Sequence, residues 1–367
     1  MMRILFYFGH PAQYLFARAT IKRLLKKPGF EVQILIKTKD VLEDLLKADQ
    51  LSYINILPQE RGSSKLQIGL SLIKRNFKIL PKIIKNRPDL MISTDASIAQ
   101  LGNMLHINCI SITEDDYEVV KTLGDLTYPF TKHILCPEVC DVGKWKNKKV
   151  GYSGYMKLGY LHPNVFTPEE SVKEKYKLAG KYVIIRLAKL TAHHDFGIKG
   201  INKTLLGQLL KMIEESGSQP YISAEGDLHK DLEVYKLNIA PQDMHHILAF
   251  SSLLICDSQS MSVEAAMLGV PSIRYSDFAG RISVLEELEH KYELTYGFRV
   301  GDEKSIINKI SEVLSLENMT ELYQEKRRKM LSEKIDVTSF LEWFISDYPK
   351  SAEMIKTKPD YQNRFIC

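Results

Sequence analysis

Short apolar runs alternate with amphipathic segments of helix length along most of the chain, and this alternation constrains the fold more than any other feature. Such a pattern is typical of βα units built around a parallel sheet. The apolar runs predicted as strands are residues 3–8, 31–37, 53–57, 90–94, 109–112, 133–136, 182–187, 221–223, 253–256 and 272–275. We therefore predict an α/β chain with doubly wound parallel sheets.

The length of 367 residues suits two domains better than one hydrophobic core. The polar stretch 144–149, followed by glycines at 151, 154 and 159, marks a change of composition. We predict an N-terminal Rossmann-like domain over residues 1–155 and a C-terminal Rossmann-like domain over 156–345. Residues 319–344 have a helical pattern, and 346–367 are predicted as an irregular tail.

Composition excludes several classes of protein. A hydrophobic fraction of 44% and a charged fraction of 26% are those of a globular chain. The net charge of +5 favours anionic partners, but it is too diffuse to predict nucleic-acid binding. The sequence has neither an apolar run long enough to span a bilayer nor a signal-peptide pattern, so we expect a cytoplasmic protein.

The cysteines do not form a metal-binding motif. Cys136 and Cys140 have the spacing of a zinc half-site, but no second pair accompanies them. Cys109 and Cys256 lie in apolar strand-like runs and are expected to be buried thiols. We therefore predict no metal site.

Polar and titratable residues follow the predicted strands in several loops. Because ligands of open parallel sheets bind outside the carboxyl ends of the strands, these loops predict a site. The candidates from the two halves are His10, Asp95, Glu114, Lys189, His193, His194, Asp257, Ser258, Gln259 and Ser260. No nicotinamide-binding, phosphate-loop, zinc-protease or serine-hydrolase motif is present.

The stretch after residue 256 carries the sharpest hypothesis. The turn Asp257–Ser260 opens a helix, so its N–H groups and hydroxyls could bind a phosphate, or Ser258 or Ser260 could simply cap the helix. Glu264 follows inside an apolar helix. It could bind the two hydroxyls of a ribose, or it could only be a favourable charge near the helix N-terminus.

The other candidates also have two interpretations each. His10 is either a general base for a hydroxyl or a turn residue. Asp95 and Glu114, with Asp115, either crowd together so that one pKa rises or lie solvated in loops. His193 and His194 either act in the site, by contacting a diphosphate or exchanging protons, or are surface residues of a loop.

Residues 71–85 predict a basic amphipathic helix. Its cations are interspersed with large apolar side chains. Such a helix either contacts an anionic membrane or buries its apolar face within its own domain, and both possibilities stay open.

The run from Asp257 through Glu264 to Pro271 resembles the donor-binding element of GT-B (glycosyltransferase-B) proteins. It also resembles the Asp-Ser-Gly-Gly…Glu-Glu element of the UDP-N-acetylglucosamine 2-epimerases. More specifically, the sequence resembles an uncharacterised prokaryotic, glycosyltransferase-like family of unknown function in the same superfamily. The stretches that carry this resemblance are residues 9–13, 113–115, 126–129, 154–163, 186–195 and 257–271.

The resemblance implies a GT-B fold and a nucleotide-sugar site. It implies that Glu264 binds the ribose and that the phosphates or nucleotide face the remaining residues of the element. These are Arg186, Asp257, Ser258, Gln259, Ser260 and Met261. It also implies catalytic roles for His10 at an acceptor and, by analogy with the epimerases, for Asp95, Glu114 and His193 or His194. The double glycine and paired glutamates of the epimerases are replaced here by Gln259-Ser260 and Glu264-Ala265.

The function implied is a glycosyltransferase of surface polysaccharide or glycolipid synthesis. Its substrates would be a nucleotide-diphosphate sugar, with UDP as the candidate carrier by analogy with the epimerases, and a sugar or lipid-linked acceptor. No cofactor is required, because side chains and a helix dipole can neutralise the departing diphosphate. The alternatives are an epimerase-like enzyme or nucleotide-sugar hydrolase, and a non-catalytic nucleotide-sugar binder. Peripheral membrane contact would be made through residues 71–85.

Overall fold

The structure is a computed structural model that describes residues 1–38, 41–57, 65–187, 200–224, 226 and 228–367, with residues 65–71 described by their backbone alone. Its strands are β1 (Met2–Phe8), β2 (Phe30–Lys37), β3 (Ile54–Leu57), β4 (Leu90–Ser93), β5 (Asn108–Ile112), β6 (His133–Pro137), β7 (Lys149–Tyr152), β8 (Tyr182–Leu187), β9 (Gln219–Ala224), β10 (Leu253–Cys256), β11 (Ser272–Tyr275) and β12 (Thr295–Phe298). Its α-helices are α1 (Pro11–Lys26), α2 (Leu42–Ala48), α3 (Lys65–Lys85), α4 (Ala96–Met104), α5 (Lys121–Thr127), α6 (Leu158–Leu161), α7 (Glu170–Lys175), α8 (Lys203–Glu215), α9 (Met244–Ala249), α10 (Gln259–Leu268), α11 (Ser283–His290), α12 (Glu303–Leu314), α13 (Met319–Glu333), α14 (Val337–Ser346) and α15 (Lys350–Thr357).

The chain forms two compact units, each built on one parallel sheet. Unit 1 contains Met1–Val165 and Lys334–Cys367, and unit 2 contains Phe166–Glu333. The seven-stranded sheet of unit 1 has the order β3-β2-β1-β4-β5-β6-β7, and the five-stranded sheet of unit 2 has the order β12-β11-β10-β8-β9. This arrangement confirms the predicted α/β class with two Rossmann-like domains.

Strand order creates a switch point in each sheet, where consecutive βα units leave in opposite directions. In unit 1 it lies between the paired strands β1 and β4, and in unit 2 between β8 and β10. Ligands of such sheets bind outside the carboxyl ends of the strands at these points. The loops that follow these four strands therefore contain the positions best placed to hold a ligand.

The central strands are mostly apolar because helices cover both faces of a parallel sheet. In β10 all of Leu253, Leu254, Ile255 and Cys256 have 0% exposure. Continuous burial of this kind explains why the predicted bounds of residues 182–187, 253–256 and 272–275 agree with β8, β10 and β11.

Strand β7 lies where the sequence predicts a polar linker. Residues Gly143–Lys148 form a 3-10 helix, and β7 then pairs with β6 at the end of the sheet. Only Val150 and Tyr152 of this strand are buried. Lys149 remains compatible with the strand because its Nζ donates to the carbonyl oxygens of Glu138 and Cys140, at 2.7 and 2.6 Å.

The last segment of the chain belongs to a different unit from the one predicted. The prediction placed residues 156–345 in the C-terminal domain and residues 346–367 in an irregular tail. Lys334–Cys367 belongs to unit 1, and residues 351–367 are mostly helical, with α15 followed by a 3-10 helix over Pro359–Phe365. Aromatic contacts explain the order of this polar segment. The rings of Trp343 and Tyr361 lie 5.1 Å apart, and those of Phe340 and Tyr152 5.9 Å apart.

The cysteines are free thiols, and four of them are buried. Burial raises the pKa of Cys109, Cys136 and Cys256 to about 12 and that of Cys140 well above its usual value. Within the described ranges, no group of three or more His, Cys, Asp or Glu residues could hold a metal ion. No helix in the described part of the chain is long and apolar enough to cross a membrane.

Candidate functional site

The turn between β10 and α10 presents a helix N-terminus at the switch point of unit 2. Ser258 is the N-cap residue, and its Oγ accepts a hydrogen bond from the backbone N–H of Met261 at 3.3 Å. At the other end of α10, Gly269 adopts the left-handed conformation with φ 71°, which glycine tolerates without strain. Asp257, Gln259 and Ser260 are partly exposed at this turn. The arrangement suits an anion at the helix N-terminus.

Glu264 is almost completely enclosed in unit 2. It is 7% exposed, and the residues of α10 from Met261 to Leu268 are all buried. Its Oε1 lies 3.4 Å from Nε2 of His245, a residue of α9. Glu264 is the sixth residue of α10, beyond the first turn in which a helix dipole acts. A favourable dipole contact therefore does not by itself explain a carboxylate at this position.

Three buried hydroxyl groups fix α10 against the sheet. Ser262 Oγ lies 2.8 Å from Ser272 Oγ and 2.7 Å from Thr295 Oγ1, and the latter two lie 2.9 Å apart. All three residues have 0% exposure. Because β11 and β12 supply two of the hydroxyls, the position of α10 depends on both strands.

Arg274 lies beneath the N-terminal turn of α10 with 0% exposure. Its Nη1 donates to Oε1 of Gln259, whose Nε2 donates to Ser276 Oγ at 2.8 Å. Its Nε and Nη2 have no hydrogen-bond partner among the described residues. Burial lowers the pKa of Arg274, while nearby Cys256 and Glu289 oppose that shift. The guanidinium thus holds the side chain of the first residue of α10 and places a cation under the turn.

The remaining unit 2 candidates meet at the ends of β8 and β10. Arg186 pairs in register with Cys256, and its Nη1 donates to Ser223 Oγ at 2.9 Å. The backbone N–H of Asp257 donates to the carbonyl of Arg186 at 3.4 Å. Arg186 and Asp257 therefore lie at the same edge of the sheet. His193, His194 and Lys189 lie outside the described residues.

His10 is the N-cap residue of α1 in unit 1. It is exposed, and its Nδ1 accepts a hydrogen bond from the backbone N–H of Ala12 at 3.2 Å. An accepting Nδ1 leaves the proton of the neutral imidazole on Nε2. As placed, Nε2 of a neutral His10 is a donor. Action as a general base would require His10 to release this cap.

Asp95 is held by an arginine from a neighbouring helix. Its Oδ1 accepts from the backbone N–H of Ser97, and its Oδ2 accepts from Arg75 Nη1 at 2.6 Å. The two side chains of the ion pair are 15% and 6% exposed. Both carboxylate oxygens of Asp95 are thus engaged within unit 1.

Glu114 is held in a similar way by the segment that follows β7. Its Oε1 accepts from the backbone N–H of Met156 at 2.5 Å, and its Oε2 accepts from Lys157 Nζ at 2.7 Å. Next to it, desolvation by the surrounding protein and then the charge of Glu114 raise the pKa of Asp115, although part of Asp115 is exposed. Asp95 and Glu114 follow adjacent strands, but each is engaged by its own cation. The raised pKa belongs to Asp115.

Several of these contacts could not be found from sequence spacing. Arg274 lies in an apolar strand and meets Gln259 only through the fold. His245, Arg75 and Lys157 stand in helices or turns distant in sequence from the carboxylates they contact. A polar residue inside an otherwise buried strand, such as Arg274, is a signal of this kind that the sequence contained.

Solved structures similar to this chain include UDP-GlcNAc 2-epimerases and glycosyltransferases. The UDP-bound S. aureus MnaA structure has a TM-score of 0.68 at 13% identity and covers 96% of this chain and 98% of that one. The UDP-GlcNAc 2-epimerase from Neisseria meningitidis, bound to UDP-GlcNAc, has a TM-score of 0.64 at 14% identity, covering 97% and 99%. The spinosyn rhamnosyltransferase SpnG has a TM-score of 0.64 at 12% identity, covering 94% and 100%.

No family model matches the sequence, and no curated protein is similar to it. The resemblance to one uncharacterised family therefore stays a prediction. The identities to the solved structures are low, so these similarities establish the fold alone. Over nearly its whole length, the chain has the GT-B fold of two Rossmann-like domains that these epimerases and glycosyltransferases share.

Proposed function

We propose that the protein is a GT-B glycosyltransferase that uses a nucleotide-diphosphate sugar in surface polysaccharide or glycolipid synthesis. The observation that carries this proposal is the β10–α10 element of unit 2. It combines a capped helix N-terminus with an enclosed carboxylate, Glu264, one and a half turns further along. These are the two features needed to bind a diphosphate and a ribose on one helix.

The residues of unit 2 would divide the nucleotide between them. Ser258 and Ser260, with the N–H groups of the turn, would face the diphosphate, and Asp257, Gln259, Met261 and Arg186 would line the same end of the sheet. Glu264 would accept hydrogen bonds from the ribose hydroxyls. His193 and His194 are proposed to neutralise the departing diphosphate, an electrostatic contribution that needs no metal ion.

Unit 1 would bind the acceptor, which is a sugar or a lipid-linked sugar. His10 is proposed to act on the acceptor hydroxyl. In the capped arrangement its Nε2–H would orient the hydroxyl by donating to the oxygen. Release of the cap would turn the ring into a base.

The carboxylates of unit 1 favour transfer over epimerisation. An epimerase must remove and return a proton at a sugar carbon, which needs carboxylates that are able to change protonation state. Both oxygens of Asp95 and of Glu114 are already engaged, each with a cation at 2.6 or 2.7 Å. Carboxylates whose two oxygens are both engaged suit binding and positioning better than proton transfer.

A second candidate is an epimerase-like enzyme or hydrolase. The observation that favours it is Asp115, whose pKa is raised by desolvation and by Glu114. A carboxyl group with a raised pKa can exchange a proton nearer to neutral pH. Further support for nucleotide-sugar binding of either kind comes from similar structures that contain UDP or UDP-GlcNAc.

The test is to incubate the protein with UDP-, GDP- and CMP-sugars, with and without acceptor sugars, in deuterated water. Transfer predicts that nucleotide is released only when an acceptor is present. Epimerisation predicts deuterium at C2 without release, and hydrolysis predicts release without an acceptor. Binding with none of these outcomes leaves a non-catalytic nucleotide-sugar binder.

The site itself is tested with Glu264→Ala. Removing a carboxylate that accepts two ribose hydrogen bonds should weaken nucleotide affinity by at least about 100-fold, since bonds to charged groups contribute roughly 1.5–3 kcal/mol each. Calorimetric titration with UDP measures this. Glu312→Ala, which removes a surface carboxylate paired with Lys309, is the control and should bind normally. Unchanged affinity of Glu264→Ala would exclude this element as the ribose site.

A further inference from the structure

Helix α3 of unit 1 exposes large apolar side chains that the fold does not use. Ile73, Phe77 and Ile84 are 55%, 71% and 65% exposed. The core-facing side of the same helix is occupied by Ile79 and Ile83, both 0% exposed. The core contacts of α3 are therefore complete without the three exposed residues.

The exposed residues form one stripe along the helix. At 100° per residue, Ile73, Phe77 and Ile84 fall within about 40° of one another around the axis. The buried residues Ile79 and Ile83 lie on a different side. Isolated exposed apolar residues are common on protein surfaces, but an aligned set on one helix indicates a surface that is covered by something.

A row of lysines runs beside this stripe. Lys74, Lys78, Lys82 and Lys85 are exposed, and residues 65–85 contain no Asp or Glu. The other cation in this part of the helix, Arg75, is 5% exposed and committed to Asp95. The exposed face of α3 thus combines an apolar stripe with positive charge only.

The end of α4 extends this surface. Arg87, just beyond α3, donates through Nη2 to the carbonyl of Leu105 at 2.7 Å, so the carboxyl ends of α3 and α4 are adjacent. Met104, the last residue of α4, is 55% exposed. A further large exposed apolar side chain therefore lies near the carboxyl end of α3.

We propose that this face of α3 docks unit 1 on an anionic lipid surface. Apolar side chains would enter the boundary between headgroups and acyl chains, while the lysine ammonium groups reach the acidic headgroups on their flexible stems. Charge complementarity selects this occupant: each lysine close to an anionic leaflet strengthens binding, and the helix carries no acid to oppose it. The inference rests on the surface of α3 and does not depend on the activity proposed above.

The experiment is co-flotation of the full chain with vesicles of phosphatidylcholine alone or of phosphatidylcholine mixed with phosphatidylglycerol. We expect binding to the mixed vesicles only. Phe77→Ser should lower the partition coefficient at least tenfold, because it removes the largest inserted side chain. Lys78→Gln with Lys82→Gln should lower it about 30-fold, roughly fivefold for each lysine.

Matched control variants distinguish vesicle binding through this face of α3 from nonspecific adsorption of the protein. Val234→Ser removes an apolar side chain that is 78% exposed in unit 2. Lys144→Gln with Lys146→Gln removes the same charge from another exposed part of unit 1. Both controls should bind like the unchanged protein. All substitutions are at exposed positions. If Phe77→Ser lowers the thermal midpoint of unfolding, Ile84→Ser takes its place in the experiment.

Three results would overturn the proposal. The first is equal binding to charged and uncharged vesicles, and the second is equal losses in the α3 variants and their controls. The third is no vesicle binding, with a measurement by sedimentation to detect a concentration-dependent dimer that Phe77→Ser dissociates. Such a dimer would assign the surface to a second copy of the chain.

Discussion

Replacing Arg274 with methionine should leave unit 2 as stable as before or make it more stable. Two buried guanidinium nitrogens, Nε and Nη2, have no partner among the described residues. Each unsatisfied buried donor costs about 1–3 kcal/mol, whereas the lost bond to Gln259 contributes roughly 1.5–3 kcal/mol. The expected change is therefore a gain of about 2 kcal/mol, within limits of about 1 kcal/mol lost and about 4 kcal/mol gained, in line with other replacements of buried charges by apolar side chains.

The same substitution should weaken binding of a nucleotide diphosphate. Gln259 would lose the donor that holds its Oε1, and the turn would lose the cation beneath it. A charge one side chain away from a diphosphate contributes on the order of 1–2 kcal/mol at an effective dielectric constant of ~20. Affinity for UDP should fall about tenfold. Urea denaturation and calorimetric titration with UDP measure the two effects on the same samples.

Arg327→Met provides the matched control. Arg327 also has its pKa lowered by burial, but its Nε donates to the carbonyl of Met267 at 2.6 Å. Its replacement should therefore lower the free energy of unfolding. The reasoning would be refuted by a loss of more than about 2 kcal/mol for Arg274→Met, or by unchanged UDP affinity in that variant.

A substitution at Gly297 tests the packing around Arg274 in a second way. A Cβ at this position would lie 2.6 Å from Nη2 of Arg274 and 3.2 Å from Oε2 of Glu289. Gly297→Ala should cost about 1–3 kcal/mol of stability in the unchanged protein, as overpacking usually does. It should cost less when combined with Arg274→Met, because a methionine side chain can move aside. Equal costs in both backgrounds would contradict this packing.

Two further predictions concern buried polar groups elsewhere. Ser262→Ala should lower the free energy of unfolding by about 1–2 kcal/mol, measured in urea, because Ser272 and Thr295 keep only each other as hydroxyl partners. Burial, followed by the charge of Lys356, lowers the pKa of His133 from 6.5 to about 4. Between pH 6.5 and 4 the unfolded chain therefore binds a proton at His133 that the folded chain does not bind. The free energy of unfolding should fall by about 3 kcal/mol as the pH drops from 6.5 to 4. His133→Gln should remove most of this pH dependence.

The fold could be predicted where a strand is buried almost continuously. The strands β8, β10 and β11 satisfy this condition, and their bounds agree with the sequence pattern. β7 and β12 do not satisfy it. Half of β7 is lysine or glycine, and three of the four residues of β12 are only partly buried. Such strands can be assigned only from the three-dimensional structure, because pairing with the neighbouring strand defines their position.

The residues of the candidate site also differ in how far the sequence alone identifies them. The turn after Cys256 and the apolar surroundings of Glu264 are local features, so the sequence is sufficient to single them out. The partners of the unit 1 carboxylates are not local: Arg75 stands 20 residues from Asp95, and Lys157 stands 43 residues from Glu114. Only the tertiary structure shows that both acids are engaged, and this changes the chemistry they are able to perform.

The return of Lys334–Cys367 to unit 1 has a consequence for synthesis on the ribosome. Unit 2 is one continuous segment and can fold as soon as it has emerged, whereas unit 1 lacks α14 and α15 until the residues that follow unit 2 have been synthesised. Until then the part of α1 that packs against α14, near Thr20 and Arg23, has no cover. Folding should therefore run against the usual order, with unit 2 complete before unit 1.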